Sequence, residues 1–425
     1  MPSYRQLRGW RRLRTIRRYC IRTVLLLAAV LWRQFLFRTT FIGVTGSIGK
    51  TTAKECIAAT LSAKSRVIWT RSNDNHYRGV ARTILRVRPW HQYAVVEMGI
   101  DGPGQMRWLA RIVRPSIGVW LGAARTHTDA FGSLDEIAAE KSDLIRALPA
   151  GGVAILNADN LYSASYTPPD GVRTIRIGTA EGADFAARNT SSCWPQRLSF
   201  ELAAGSARYL VSTQLVGTHW VPSVLAGFAV AEACGVPFED AAARIAMLRP
   251  QSARLSPHRI PSGAVILRDD YNGSVDTLPA ALRVLEDARA SRRILVISDL
   301  SDDPTKLRRR FARLGRIAAE KFEAAVFLGE NAERAVRAAV EAGLPPDCAH
   351  GFTSLPEAAM FLGGFLREGD VALLKGRFSD HVTRLYFALH GEVKRWRERC
   401  GKRRLCDECP ELGSKDLVRI ASAQV

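Results

Sequence analysis

The chain is predicted to be an α/β protein: a P-loop-type central domain on a mostly parallel sheet, followed by a Rossmann-like α/β domain. Three observations carry this expectation. Residues 40–61 read as a β-branched strand, a glycine-rich turn and a helix. Continuous apolar runs at 293–299, 324–329 and 370–376 are separated by helical patterns, the signature of a parallel sheet covered on both faces. Finally, 425 residues with 47% hydrophobic and 24% charged side chains make a globular chain long enough for two or three domains. That composition excludes disorder, a collagen-like fibre and a small disulfide scaffold.

The charge is uneven. Sixty-one Lys and Arg face 41 Asp and Glu, for a net charge of +20, and such a field seeks anionic partners. Residues 1–40 contain ten arginines and no acid, so half of the excess sits there. Within this segment, residues 23–32 (TVLLLAAVLW) are uninterruptedly apolar. As a helix they reach about 15 Å, roughly half a bilayer core. Residues 1–39 are therefore expected to associate with an anionic membrane surface, lying in the interface or crossing as a short anchor with Arg22 and Arg33 at the headgroups. An Arg-rich helix packed on the protein itself, or a frayed terminus, is the remaining alternative. No RNA- or DNA-reading motif interleaves aromatics with the arginines, so no nucleic-acid partner is expected. The sequence sets no oligomeric state.

Next comes the strand, turn and helix TFIGVTGSIGKTT, from Thr40 to Thr52. This order aims backbone N–H groups and a helix N-terminus at phosphates. Gly46, Ser47, Gly49, Lys50, Thr51 and Thr52 form the candidate nucleotide loop, with Lys50 reaching the β/γ-phosphates and the Thr51 hydroxyl offered to Mg²⁺. The strict Walker spacing requires glycine at position 44, where Val44 stands.

The variant loop T-G-S-x-G-K-T-T resembles that of the Mur ligase family, the ATP-dependent amide ligases of peptidoglycan assembly, and is most like the branch that adds a D-alanyl-D-alanine dipeptide. Further segments follow in the family's order. The Asn-rich stretch at 72–80 precedes a helix. The strand Val95-Val96-Glu97 ends in a carboxylate where the family has a metal-binding glutamate. Residues 126–134, THTDAFGSL, resemble a segment carrying a metal-linked histidine, here His127. A helix at 137–145 carries Lys141, matching a lysine that several members carbamylate. The resemblance thus implies Thr51, Glu97, His127 and Lys141 around Mg²⁺, and Asn157, in a strand and turn at 152–160, beside the nucleotide.

In the second half, Gly217-Thr218-His219-Trp220-Val221-Pro222-Ser223 stands where the family usually reads G-x-H-N-x-x-N, so Trp220 and Ser223 replace two asparagines that help hold nucleotide. Residues 248–255 resemble the hinge whose arginine faces the γ-phosphate, a role that falls to Arg254. Asp269 and Asn272 match the family's strand and loop at the ribose. Lys375 and Arg377 resemble a cleft-facing pair that would meet an acidic substrate.

The expected domains are 1–39, a basic and apolar membrane-associating segment; 40–250, the ATP-binding central domain; 251–392, the C-terminal domain; and 393–425, a basic tail. Cys400, Cys406 and Cys409 in that tail form a candidate Zn²⁺ knuckle short of four ligands. The resemblance implies an ATP-dependent ligase joining a carboxylate to an amine through an acyl phosphate, with Lys50, His127, Lys141 and Arg254 as its catalytic set. In place of the family's sugar-nucleotide domain stands the Arg-rich segment, so a membrane-held or polymeric carboxylate is expected, at the cytoplasmic face of a bacterial inner membrane. A nucleotide-binding scaffold without ligation is the alternative, favoured by Trp220 and Ser223.

Overall fold

The structure is a computed structural model that describes residues 23–125, 131–301, 303, 305–396, 406–409 and 412. It divides into two compact units, one of residues 1–189, 201–211 and 221–248, the other of residues 190–200, 212–220 and 249–425.

In the first unit, helix α1 (23–34) leads into β1 (Thr40–Thr45), α2 (Lys50–Leu61), β2 (Val67–Trp69), α3 (Tyr77–Arg86), β3 (Tyr93–Glu97), α4 (Gln105–Val113), β4 (Ile117–Trp120), α5 (Leu134–Arg146), β5 (Val153–Asn157), α6 (Leu161–Ala164) and β6 (Arg173–Gly178). Strands β7 (Phe185–Ser191), β8 (Ser199–Ala204) and β9 (Ala207–Ser212) extend the sheet, and α7 (Val221–Ala233) and α8 (Phe238–Ala246) follow. The sheet runs β2-β3-β1-β4-β5-β6-β7-β8-β9, parallel from β2 to β7. β1 is buried along nearly its whole length because helices cover both of its faces, which explains its unbroken β-branched and apolar character. The chain passes from β1 to one side (β2, β3) and then to the other (β4, β5). The carboxyl end of β1 is therefore a topological switch point, where α/β sheets open a crevice for ligands. Register brings Val44 opposite Glu97 and Thr45 opposite Trp120 at that edge.

The second unit holds β10 (Ser256–Arg259), β11 (Val265–Asp269), α9 (Leu278–Glu286), β12 (Arg292–Ile297), α10 (Leu307–Lys321), β13 (Ala324–Leu328), α11 (Ala332–Glu341), β14 (Ala349–Phe352), α12 (Leu355–Phe365), β15 (Asp370–Lys375) and α13 (Thr383–Ala388). Its sheet order is β10-β11-β15-β12-β13-β14, with only β10 antiparallel. The apolar runs seen in the sequence are β12, β13 and β15, buried in the middle of this sheet. The α/β class with a mostly parallel first sheet is as expected.

Part of the tail packs on this second unit. Arg268, fully buried on β11, forms a bidentate pair with Asp270 (3.1 Å to each oxygen) and a second with Asp407 (2.8 and 3.0 Å). Asp407 also accepts from Ser252 Oγ at 2.7 Å. Asp407→Ala would strip Arg268 of one of two carboxylates in a dry site. A loss of about 2 kcal/mol is expected, the scale of hydrogen bonds to a charged group, measurable as a lower urea midpoint of the full chain. An unchanged midpoint would mean that this pair does not anchor the tail.

The zinc expectation is not supported. Cys400 lies outside the described residues, and among the described residues no three His, Cys, Asp or Glu gather as a metal site. Cys406 is buried against His381 Nδ1 at 3.2 Å, and burial pushes its thiol up to about 11.

Candidate active site

The turn between β1 and α2 is shaped by two glycines. Gly49 caps α2 at φ +83°, and a Cβ there would lie 2.9 Å from Ser223 Oγ; a Cβ on Gly46 would likewise lie 2.9 Å from Leu121 Cβ.

 In other words, a side chain at either position would collide with the loop's own wall, so both must be glycine. No acid sits in the first turn of α2 to compete for its N-terminus. Ser47 ties the turn to the segment after β4: its N–H donates to Gly122 O, its hydroxyl to Ala124 O, and it accepts from Ala124 N. Lys50 curls back so that Nζ donates to Gly46 O (2.6 Å) and Ser47 O (3.2 Å). Thr52 is buried in the first turn of the helix.

Beside the loop, Glu97 at the end of β3 is fully buried. Its Oε1 accepts from Thr51 Oγ1 (3.1 Å) and Asn75 Nδ2 (2.7 Å), whereas Oε2 has no hydrogen-bond partner. Lys54, one turn along α2 and also fully buried, donates to Thr70 O and Ser72 O at 2.7 Å each and stands 3.7 Å from Glu97 Oε2. A buried carboxylate oxygen left unbonded is costly. With the Thr51 hydroxyl, it forms a hard oxygen donor pair of the kind Mg²⁺ takes.

Helix α5 begins with a capping box: Ser133 Oγ accepts from Glu136 N. The helix is locked in rotation by Glu140, whose two oxygens accept from Gly104 N and Met106 N at 2.7 Å each. That rotation buries Lys141 completely, and burial, aided by the nearby charge of Lys50 and opposed by Glu140, holds its pKa well below the ordinary lysine value of 10.5. Burial thus favours the uncharged form of the Lys141 amine. Asn157, at the end of β5, is buried and uses its amide to hold Leu121 O at 3.0 Å, which fixes the wall of the phosphate turn. The structure thus gathers Gly46, Ser47, Gly49, Lys50, Thr51, Thr52, Glu97, Lys141 and Asn157 in the first unit. His127 falls outside the described residues.

The second unit carries its own set. Arg254 stacks on Tyr271, 4.5 Å from its guanidinium carbon to the ring centroid. Its neighbours Ala253 (φ +60°) and Leu255 (φ +50°) both adopt left-handed backbone, a strain that surrounding contacts must hold in place and that is typical of functional positions. Asp269, at the end of β11, lies in register with Lys375 at the end of β15. Lys375 is fully buried and donates to Asp269 Oδ2 (2.6 Å), Asn272 O (2.9 Å) and Thr277 Oγ1 (3.0 Å). The expectation that Lys375 meets an acidic substrate is corrected by this: its three protons are all used inside the domain. Arg377, more exposed, pairs with Asp380 and lies near Asp299. Asn272 Oδ1 accepts from Ser274 N and shapes the loop after β11. Trp220 is buried.

Sequence reasoning assigned no role to three residues: Lys54, Asn75 and His219. Burial lowers the pKa of His219 to about 4, with Asp269 opposing and Lys375 assisting, so its imidazole is neutral at neutral pH.

Two family models match this chain, the Mur ligase middle domain over residues 44–231 and the Mur ligase glutamate ligase domain over residues 253–378. The chain belongs to the Mur ligase family. Among Mur ligases, it is 32% identical over 264 residues to the UDP-N-acetylmuramoyl-tripeptide–D-alanyl-D-alanine ligase of Escherichia coli K12, covering 61% of this chain and 58% of that one. The enzyme of the same name from Mycobacterium bovis is 32% identical over 280 residues, covering 66% of this chain and 52% of that one. The chain thus spans a little over half the length of these curated relatives. The crystal structure of MurF from Acinetobacter baumannii superposes with a TM-score of 0.79 at 27% identity, covering 87% of this chain and 80% of that one. MurF from Thermotoga maritima in complex with ADP shares the fold, with a TM-score of 0.74 at 21% identity over 87% of this chain and 83% of that one.

Proposed function

We propose that this Mur ligase uses ATP to join a carboxylate to an amine in building a cell-envelope polymer. A substrate carboxylate oxygen attacks the γ-phosphorus, the bond to ADP breaks, and an acyl phosphate forms. The amine then adds to the acyl carbon, loses a proton, and expels phosphate to leave the amide. The observation that carries this reading is the phosphate turn with Thr51, Glu97 and the buried Lys141 built around it.

Lys50 would exchange the carbonyls of Gly46 and Ser47 for phosphate oxygens, and Arg254 would offset charge on the transferred phosphoryl group. Thr51 and Glu97 would hold Mg²⁺, which supplies charge neutralisation on the phosphates. Lys141 would take up CO₂ as a carbamate, releasing one proton and turning a buried amine into an oxygen donor. Asp269, with Oδ2 fixed by Lys375, and Asn272 would face the ribose. In the resemblance, His127 belongs to the same metal set.

The test is phosphate release with ATP, Mg²⁺ and panels of carboxylates and amines. Release that requires one member of each class supports the ligase. The scaffold reading is favoured by Ser223, whose hydroxyl contacts Gly49 O at 3.3 Å where the family has an asparagine for nucleotide. It requires ATP binding with no release across the panel.

Lys54 supplies a finer test of the metal site. It touches the proposed ligand Glu97 rather than substrate, and its fixed position sets the local field. Lys54→Met is expected to weaken the Mg²⁺ dependence of turnover by about 10-fold or more, the usual cost of losing a group behind a metal ligand. An unaltered Mg²⁺ titration in a folded, active variant would remove Lys54 from the site.

A further inference from the structure

We propose that the outward face of α1 is a docking surface for an anionic lipid bilayer, with the helix lying flat between protein and membrane. The inward face is firmly held. Arg33 is buried, donates from Nε to Val113 O (2.7 Å) and from Nη2 to Arg114 O (3.0 Å), and lies 3.9 Å over the Phe41 ring. Trp32 Nε1 donates to Val87 O at 3.0 Å. Ala29 and Leu36 join the core, with Leu25 and Leu26 packed against it.

The opposite face should be polar if it met water. Instead Val24, Leu27, Leu31 and Phe35 follow one another at helical spacing and are 66%, 58%, 60% and 68% exposed, with Phe37 at 81% just beyond. A contiguous apolar stripe of this kind marks an interaction surface. Charge selects its occupant. Besides the buried Arg33, nine arginines and no acid stand among residues 1–40, and they would repel a second copy of the same segment and attract an anionic surface. Nucleic acid would satisfy the charges but leave the stripe in water. A lipid surface satisfies both, apolar side chains entering the acyl boundary and arginines meeting headgroups.

The helix lies on the membrane rather than crossing it. Its inner side is tied to the domain through Arg33 and Trp32, so only its outer side is left to face lipid. Among the described residues no helix is long and apolar enough to cross a membrane. The inference deepens the proposed function: it would hold the ligase beside a membrane-held carboxylate. It rests on that proposal only for the side of the membrane, the cytoplasmic one, where ATP is supplied.

The experiment is flotation of the full chain with vesicles of equimolar phosphatidylglycerol and phosphatidylcholine, or of phosphatidylcholine alone. The wild-type chain should float with the anionic vesicles, and less so in about 0.5 M salt, where charge is screened. The triple variant Leu27→Gln/Leu31→Gln/Phe35→Gln should lose at least about 10-fold in bound fraction, with its melting midpoint kept because these side chains lie outside the core. A second variant, Arg11→Gln/Arg12→Gln/Arg14→Gln, keeps the apolar stripe and should weaken binding to the anionic vesicles alone. Flotation of the triple variant equal to wild type overturns the proposal. So does absence of wild-type binding, or a concentration-dependent dimer that the triple variant abolishes without any vesicle binding. Turnover of soluble substrates, read alongside, separates failure of docking from failure of the ligase reading.

Discussion

Lys50→Ala is expected to lower the turnover number for substrate-dependent phosphate release by about 10³-fold, the scale on which a single charge aimed at a transferring phosphoryl group acts. The argument is geometric. Lys50 Nζ rests on the carbonyls of Gly46 and Ser47, within the turn whose N–H groups and helix end would receive the phosphates. Alanine removes the charge without opening the core, because Ala53, Cys56, Ile57 and Leu61 hold α2 to the domain. Its melting midpoint should therefore stay close to that of the wild type while turnover collapses. Lys50→Arg should recover little, since the turn fits a point charge on a thin stem rather than a planar fork. Full activity in Lys50→Ala would refute the site as drawn.

Much of this site was legible because its signals are local. The turn, its glycines and Lys50 lie within a dozen consecutive residues, and the strand before it and the helix after it read as such. Glu97 was legible as a carboxylate at the end of a buried strand. What it touches was not. Asn75 and Thr51 reach it across 22 and 46 residues of chain, and Lys54 reads in sequence as an ordinary helical lysine. Lys375 was misread for the same reason: its pairing with Asp269 depends on β11 lying beside β15, a crossover between strands 106 residues apart. Helix α1 shows the complementary limit. An apolar run shows that both faces avoid water, but only packing shows which face the protein covers.

Lys141→Met is expected to separate stability from activity. In the folded chain the Lys141 pKa is held well below 10.5, first by burial and then by the charge of Lys50. A lysine whose folded pKa is lowered imposes a penalty through linkage. Above about pH 10.5 both states are neutral and the penalty is absent. As the pH falls, the unfolded chain takes up a proton that the folded one refuses, and the penalty grows until the folded pKa is reached. Methionine, of similar length and never charged, removes it, so in CO₂-depleted buffer the variant should melt higher than wild type at neutral pH, and the gain should vanish as the pH approaches 10.5. Turnover should move the other way, falling by about 10²-fold or more through loss of a positioned charge-stabilising group. Wild-type turnover should rise with added bicarbonate and that of the variant should not, because only the amine can form a carbamate. Lys141→Arg sharpens the contrast: guanidinium cannot shed its proton, so this variant should lose both stability and activity. A Lys141→Met enzyme that melts no higher at neutral pH would show that the amine is not held neutral by burial. One that keeps its turnover would remove Lys141 from the chemistry, leaving burial without function.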